Sequence, residues 1–403
     1  MENDSMADWK HTLLSVLSDF EDRYDNAKFE LQQRLGLGKL CIVPYRGYGT
    51  QTILYLKGRV LRDKGITSPM EDDTVWLNLL NMYKRYQSDE IPGARVLARF
   101  GDLAQEVVAD EEGHFEITFE PPALPTIDGV WHEIELELLD YPGKDKNPEE
   151  PQSVTATGYV IVPPADADFG VISDIDDTVL RTDVVNLLAM ARNTFLKNAR
   201  TRLPFAGASA FYDVLRHGSG KHFNPIYYVT SSAWNLYDMI VDFFAVRNIP
   251  VGPLFMINMG ITDEQFIVPG HHTHKFNTIQ TLLDTHPTLP FILIGDSSQK
   301  DPEIYLDVIR QNPGRILAVY IRDVTESVRD TEVQAIIAEA VELGVEMIFV
   351  EDTFVAAQHA ADQGFITDDQ LALVLKERNE DKQAPTALEQ AIMPESDSAP
   401  GQS

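Results

Sequence analysis

The sequence predicts an α/β protein in which a doubly wound parallel sheet follows an N-terminal helix and a small β-sandwich domain. Three observations carry that expectation. After residue 168, near-continuous apolar runs alternate with helical segments, as strands buried on both faces require. Between 39 and 164 the runs of β-formers are short, alternate in polarity and are separated by turn signals. Residues 1–38 carry an apolar stripe at helical spacing. At 403 residues the chain is long enough for two cores, and its 44% hydrophobic and 24% charged content is ordinary for globular proteins.

The first element is an amphipathic helix within 1–38, striped by Trp9, Leu13, Val16, Leu17, Phe20, Tyr24, Ala27, Leu31 and Leu35 and ended by Gly36 and Gly38. Its acidic residues outnumber its basic ones, so packing against protein is expected rather than docking on an anionic membrane. The β-sandwich domain spans 39–164, with strands expected at 40–44, 53–61, 94–100, 105–110, 115–119, 132–139 and 154–162. Asp110-Glu111-Glu112-Gly113 reads as a hairpin turn. The run Arg46-Gly47-Tyr48-Gly49-Thr50 lacks the lysine and following helix of a phosphate loop, and reads as a glycine-rich turn.

The catalytic domain is placed at 168–376, after the linker Pro163-Pro164-Ala165-Asp166-Ala167-Asp168. Its strands are expected at 169–173, 225–229, 254–259, 291–294, 315–321 and 346–350. Residues 377–403, polar and carrying Pro385, Pro394 and Pro400, read as a disordered tail.

Composition narrows the function. A net charge of −30 repels nucleic acid and anionic surfaces at long range, so no nucleic-acid partner is expected. One cysteine, Cys41, leaves no disulfide pair, and the N-terminus lacks the basic start and apolar core of a signal peptide; both point to the cytoplasm. Between 181 and 222 the balance reverses locally. Arg181, Arg192, Lys197, Arg200, Arg202, Arg216 and Lys221 are opposed only by Asp183 and Asp213. A solvated helix face and a basic rim for an anionic substrate both fit that pattern.

The chemistry lies at expected strand ends. Asp174 and Asp176, in Ser173-Asp174-Ile175-Asp176-Asp177-Thr178, sit at i and i+2, so in an extended segment both point the same way. Carboxylates roughly 7 Å apart repel by about 2–3 kcal/mol at an effective dielectric near 20, which separates their protonation. Asp174 can then act as a nucleophile that becomes an aspartyl-phosphate, and Asp176 as the acid/base. Thr230 follows the second strand, with Ser231 beside it, and can donate a hydrogen bond to phosphate. Lys275 precedes a helix and can neutralise phosphoryl charge, and Asp296 follows the fourth strand, with Asp301 five residues on. Asp174 and Asp296 offer the hard oxygens that suit Mg²⁺. Taken singly, Asp177, Thr178, Asp296 and Asp301 also suit helix caps. His271, His272 and His274 form a further cluster, without cysteines or a clear fourth ligand for zinc.

The ordered set resembles the haloacid dehalogenase-like phosphatase superfamily over roughly 168–360. Asp174-Ile175-Asp176-Asp177-Thr178 is similar to its first motif, Thr230 to its second, Lys275 to its third, and Gly295-Asp296-Ser297-Ser298-Gln299-Lys300-Asp301 to its fourth. Further runs, His274-Lys275, Asp301-Pro302-Glu303-Ile304-Tyr305 and Arg315-Ile316-Leu317-Ala318-Val319-Tyr320-Ile321-Arg322-Asp323-Val324, resemble the actin-patch-type phosphatidate phosphatase catalytic domain. The upstream Pro44-Tyr45-Arg46-Gly47-Tyr48-Gly49 run is similar to the same group. The resemblance implies a Rossmann-like fold and Mg²⁺-dependent cleavage of phosphatidate to diacylglycerol and phosphate. It also implies Asp174 as nucleophile, Asp176 as acid/base and Asp296 as metal ligand, with Asp176 and Asp301 completing the metal shell.

Two alternatives stay open on sequence alone: a phosphatase for a soluble monoester, and a non-catalytic scaffold. The apolar run 184–190, with Phe195 and the basic residues around it, suits either transient peripheral contact with a lipid surface or an ordinary helix covering the sheet. Sequence leaves the oligomeric state open.

Overall fold

The computed structural model describes residues 39–63, 89–127, 129–142, 153–175, 206–220, 222–257, 271–297, 299–324 and 328–383. The expected N-terminal helix, Asp176 to Thr178 and most of the basic segment 181–222 lie outside them. The described chain is an α/β protein with one mixed and one parallel sheet.

The mixed sheet contains β1 (Lys39–Pro44), β2 (Gly47–Gly49), β3 (Leu54–Asp63), β4 (Asp89–Glu90), β5 (Arg95–Phe100), β6 (Leu103–Val108), β7 (His114–Phe119), β8 (Trp131–Asp140) and β9 (Thr155–Ile161). Its order is β1-β3-β2-β9-β8-β5-β6, with β4 and β7 also paired to β3. All pairs are antiparallel except β2 with β9, where Gly47 and Tyr48 face Val160 and Ile161. The two separate sheets of a sandwich are therefore replaced by one hydrogen-bonded sheet, because the long β3 ladders with four partners. Alternate residues such as Leu54, Leu56, Val96, Ala98, Ile134 and Leu136 form its core. Each large side chain so withdrawn from water stabilises by about 1.5–3 kcal/mol.

Two local expectations change. Gly47–Gly49 is a strand rather than a turn, and a Cβ on Gly47 would meet the Tyr55 carbonyl oxygen at 2.2 Å. The turn at 110–113 forms, with the Asp110 carboxylate accepting from the Glu112 and His114 N–H groups. It does not close a hairpin ladder, since β7 pairs with β3.

The parallel sheet runs β12-β11-β10-β13-β14-β15, made of β10 (Gly170–Asp174), β11 (Ile226–Ala233), β12 (Leu254–Ile257), β13 (Phe291–Asp296), β14 (Ile316–Arg322) and β15 (Glu346–Val350). Helices α1 (Ala208–His217), α2 (Tyr237–Val246), α3 (His271–Thr285), α4 (Asp301–Gln311), α5 (Val328–Glu342), α6 (Thr353–Asp362) and α7 (Asp368–Gln383) follow its strands. Val171, Tyr228, Ile292 and Tyr320 pack with Phe211, Phe244, Ala357 and Val374 on one face. Ile172, Tyr227, Leu293 and Val319 pack with Leu282, Tyr305 and Val333 on the other. Alternate strand residues thus feed two cores, which is why these strands read as unbroken apolar runs.

Helix α7 continues to Gln383, beyond the expected start of a disordered tail at 377. Its polar residues are used: Glu377 accepts from the Ala210 N–H, Asp381 from the Gly207 N–H, and Arg378 pairs with Asp352. Among the described residues, no helix is long and apolar enough to cross a membrane.

Candidate active site

Strand β10 lies between β11 and β13, where chain order reverses, and a parallel sheet opens a crevice beyond the carboxyl ends of its strands at such a point. Asp174 is the last residue of β10 and is 1% exposed. In the ladders, Asp174 is level with Val229, so Thr230 stands one position further on, at the same edge. Ser173 is level with Ile294, which places Asp296 beyond Asp174 on the other side. Register alone therefore gathers Asp174, Thr230 and Asp296 from segments far apart in sequence.

Helix α3 brings Lys275 to this edge. Its buried ammonium lies 2.7 Å from Asp174 Oδ1, donates to Asp301 Oδ1 at 2.7 Å and donates to Gln299 Oε1 at 3.0 Å. Burial alone would push the ammonium down, but the Asp174 and Asp301 carboxylates outweigh it and hold Lys275 well above the ordinary lysine range.

Asp301, the first residue of α4, ties the edge together. Its other oxygen, Oδ2, accepts from the Asp296 N–H at 3.2 Å, while Asp296 Oδ1 accepts from the Gln299 N–H at 3.1 Å. Gly295 makes this closure sterically feasible, since a Cβ there would meet Asp301 Oδ2 at 2.5 Å and the Tyr305 ring at 2.8 Å. Carboxylate oxygens of Asp174, Asp296 and Asp301, all buried, come within 4.8 Å of one another. Three converging hard oxygens, two of them sharing one ammonium, fit a small divalent cation such as Mg²⁺.

Thr230 is fully buried, and its Oγ1 accepts from the Ser232 N–H at 2.9 Å. The Ser231 hydroxyl is enclosed and has no hydrogen-bond partner among the described residues. Asp176, the expected acid/base, lies outside the described residues. So do the side chains of His271 and His272, at the start of α3.

Sequence reasoning missed Gln299, Tyr212 and Arg322. Gln299 completes the hold on Lys275. Tyr212 meets the Ser173 hydroxyl at 2.6 Å, directly behind Asp174. Arg322 ends β14 level with Asp296 and donates to Thr353 Oγ1 at 3.0 Å. Arg322 was legible as a cation at a strand end; nothing in sequence marks Tyr212, which reaches the site across a helix–sheet interface.

Residues 169–323 match the family model described as phosphatidate phosphatase APP1, catalytic domain. This segment is similar to that family's catalytic domain. The match holds Asp174, Thr230, Lys275, Asp296 and Asp301, the whole described edge. Phosphatidate phosphatase APP1 of Saccharomyces cerevisiae is 31% identical over 162 residues, 40% of this chain and 27% of that protein. An uncharacterized protein of Schizosaccharomyces pombe is 26% identical over 245 residues, 60% of this chain and 38% of that one. The matches thus span well under half the length of these curated relatives. A carbohydrate acetylesterase from Xanthomonas citri aligns over 82% of this chain and 71% of its own at 10% identity, with a TM-score of 0.25, too low to relate the folds.

Proposed function

We propose that the chain is a phosphoric monoester hydrolase with a haloacid dehalogenase-like catalytic domain, and that its substrate is phosphatidate. The observation that carries the chemistry is Asp174 at the central strand end, 2.7 Å from the buried Lys275 ammonium that it shares with Asp301. The name of the yeast relative supports the lipid substrate.

In this reading Asp174 attacks phosphorus, forming the aspartyl-phosphate while the bond to the diacylglycerol oxygen breaks. Asp176 gives its proton to that leaving oxygen, then takes one from the water that attacks the aspartyl-phosphate and releases inorganic phosphate. Thr230 and Ser231 hold phosphoryl oxygens by hydrogen bonds, and Lys275 neutralises their charge. Asp301 keeps Lys275 and the Asp296 backbone in place. Asp174, Asp296 and Asp301, with Asp176 from the first motif, would hold Mg²⁺, which when bound supplies charge compensation to the phosphoryl group.

The test is phosphate release from phosphatidate in vesicles and from soluble monoesters, with and without Mg²⁺, comparing wild type with Asp174→Asn. Release from phosphatidate that needs both Asp174 and Mg²⁺ is expected. Release from soluble esters alone would replace the lipid substrate, and release from none would leave a scaffold. Charge reversal at Arg192, Lys197 and Arg200 is expected to weaken activity on anionic vesicles more than on a soluble ester.

A further inference from the structure

We propose that the mixed sheet braces the phosphate-binding segment of the parallel sheet, with Tyr45 and Tyr48 as positioning residues for Thr230, Ser231 and Ser232. The proposal rests on the phosphatase reading for its functional consequence, and on the packing alone for its structural one.

The segment needs support because it leaves the ladder. Strand β11 pairs with β12 through Tyr228–Leu254 and Val229–Phe255, and pairing resumes with a shifted register at Ala233–Ile257. Thr230, Ser231 and Ser232 occupy the irregular stretch between, and a bulge of this kind re-aims side chains where a ladder no longer fixes them. The residues immediately flanking it are Ala233-Trp234 on one side and the Val229–Phe255 pair on the other.

Both flanks are gripped by one short run of the mixed sheet. The Tyr45 ring stacks on Trp234 with centroids 4.3 Å apart and planes 16° apart, and meets Tyr237 at 4.4 Å. The Arg46 N–H donates to the Tyr237 hydroxyl at 3.0 Å. Lys57 places its ammonium 5.2 Å from the Trp234 ring centre. Three residues along, Tyr48 packs on Phe255 at 5.1 Å. Tyr45 is 3% exposed and belongs to the core of the parallel sheet, although it sits between β1 and β2.

The run is itself held rigidly. The Tyr45 N–H donates to the Lys57 carbonyl, Tyr48 pairs with Tyr55, and Gly47 lies so close to Tyr55 that no side chain fits. A stacked aromatic pair anchored on two ordered sheets contributes orientation beyond its buried area. Loosening it frees the backbone that presents the Thr230 and Ser231 hydroxyls while leaving Asp174 and Lys275 where they are.

The experiment compares full-length wild type, Tyr45→Ala, Tyr48→Ala and Tyr45→Phe, with folding checked by thermal melting. The readouts are KM, kcat, inhibition by inorganic phosphate, and hydrogen exchange of the 229–236 amides. Tyr45→Ala is expected to raise KM and the phosphate inhibition constant about three- to tenfold, the range an aromatic pair accounts for, with a smaller change in kcat. Tyr48→Ala should do the same more weakly. Tyr45→Phe keeps the stacked ring and should restore KM. Faster exchange at Ser232 in Tyr45→Ala should accompany the loss. A folded Tyr45→Ala with unchanged KM, phosphate inhibition and exchange overturns the brace, as does a kcat that falls with KM unchanged. If wild type releases no phosphate from any ester, the phosphatase reading fails, and exchange at 229–236 still decides whether the brace exists.

Discussion

The two sheets of this protein treat polar groups in opposite ways. Strand β13 is buried along its whole length and carries its one charge, Asp296, at its last position. Strand β8 alternates buried and more exposed residues, with Glu133 and Glu135 facing water and Glu137 half-buried between Ile134, Leu136 and Leu138. A strand covered on both faces has room for charge only where the sheet ends; a strand with a wet face carries it throughout. Buried carboxylates therefore collect at one edge of the parallel sheet, around Lys275. The mixed sheet instead buries Arg59 opposite His114 on neighbouring strands, and His132 on a third, with burial pushing both imidazoles down.

Activity separates the two regions most sharply. Asp174→Asn is expected to lower kcat/KM by about 10⁴-fold or more with the fold intact. Phosphate release at a tenth of the wild-type rate would break the contrast, because catalysis would then not depend on that edge.

Stability comes next. Lys275→Ala strands the buried Asp174 and Asp301 carboxylates and should destabilise by about 3–5 kcal/mol in urea unfolding. Arg59→Ala removes a bond of 2.8 Å to the Glu112 carbonyl and a pair with the partly exposed Glu90. There the expected loss is about 1–3 kcal/mol. Equal losses would show that the mixed sheet holds its charges as tightly as the active edge.

A pH series sharpens the comparison further. Burial, helped by Arg59 and Lys57, pushes His114 down from 6.5 to about 4. The folded state therefore binds its proton less readily than the unfolded chain. His114 contributes stability that is present above pH 6.5 and is lost as pH falls through about 4. His114→Gln should flatten the stability profile in that window, by about 1–3 kcal/mol across it. Lys275 behaves in the opposite sense: its raised folded value keeps its contribution full below the ordinary lysine range, to be lost only in strong alkali. An unchanged acid slope in His114→Gln would assign the loss to other groups.

The smallest effect belongs to the exposed cross-strand pair Arg95–Glu106 of the mixed sheet. Solvent screens such pairs, and Arg95→Ala should leave the melting temperature unmoved within error.

The legibility of the sequence follows from the same contrast. All six parallel strands were readable, since a short unbroken apolar run between helices suits little besides a strand covered on both faces. In the mixed sheet, β2 and β4 were missed: one is three residues with two glycines, the other is Asp89–Glu90, and neither has β-forming composition. The single nine-stranded sheet was also missed, because which strands β3 ladders with is a matter of long-range pairing. The end of α7 was misplaced because its polar residues satisfy α1 and α6, and no local pattern reveals that use.

At the site, Asp174, Thr230, Lys275, Asp296 and Asp301 were legible from residue type and order at strand ends. The bond from Gln299 to Lys275 and the stack of Tyr45 on Trp234 were not, since each depends on side chains meeting across elements.

The sequence by itself determined which residues could do chemistry, because a polar group ending an apolar strand is conspicuous and local. The tertiary structure decided how they are held. One ammonium is shared between Asp174 and Asp301, a glycine admits Asp301 beside Asp296, and a tyrosine from the other sheet grips the segment after Thr230. Strand identity is written in neighbouring residues; distances between groups far apart in the chain are set only when register and packing close.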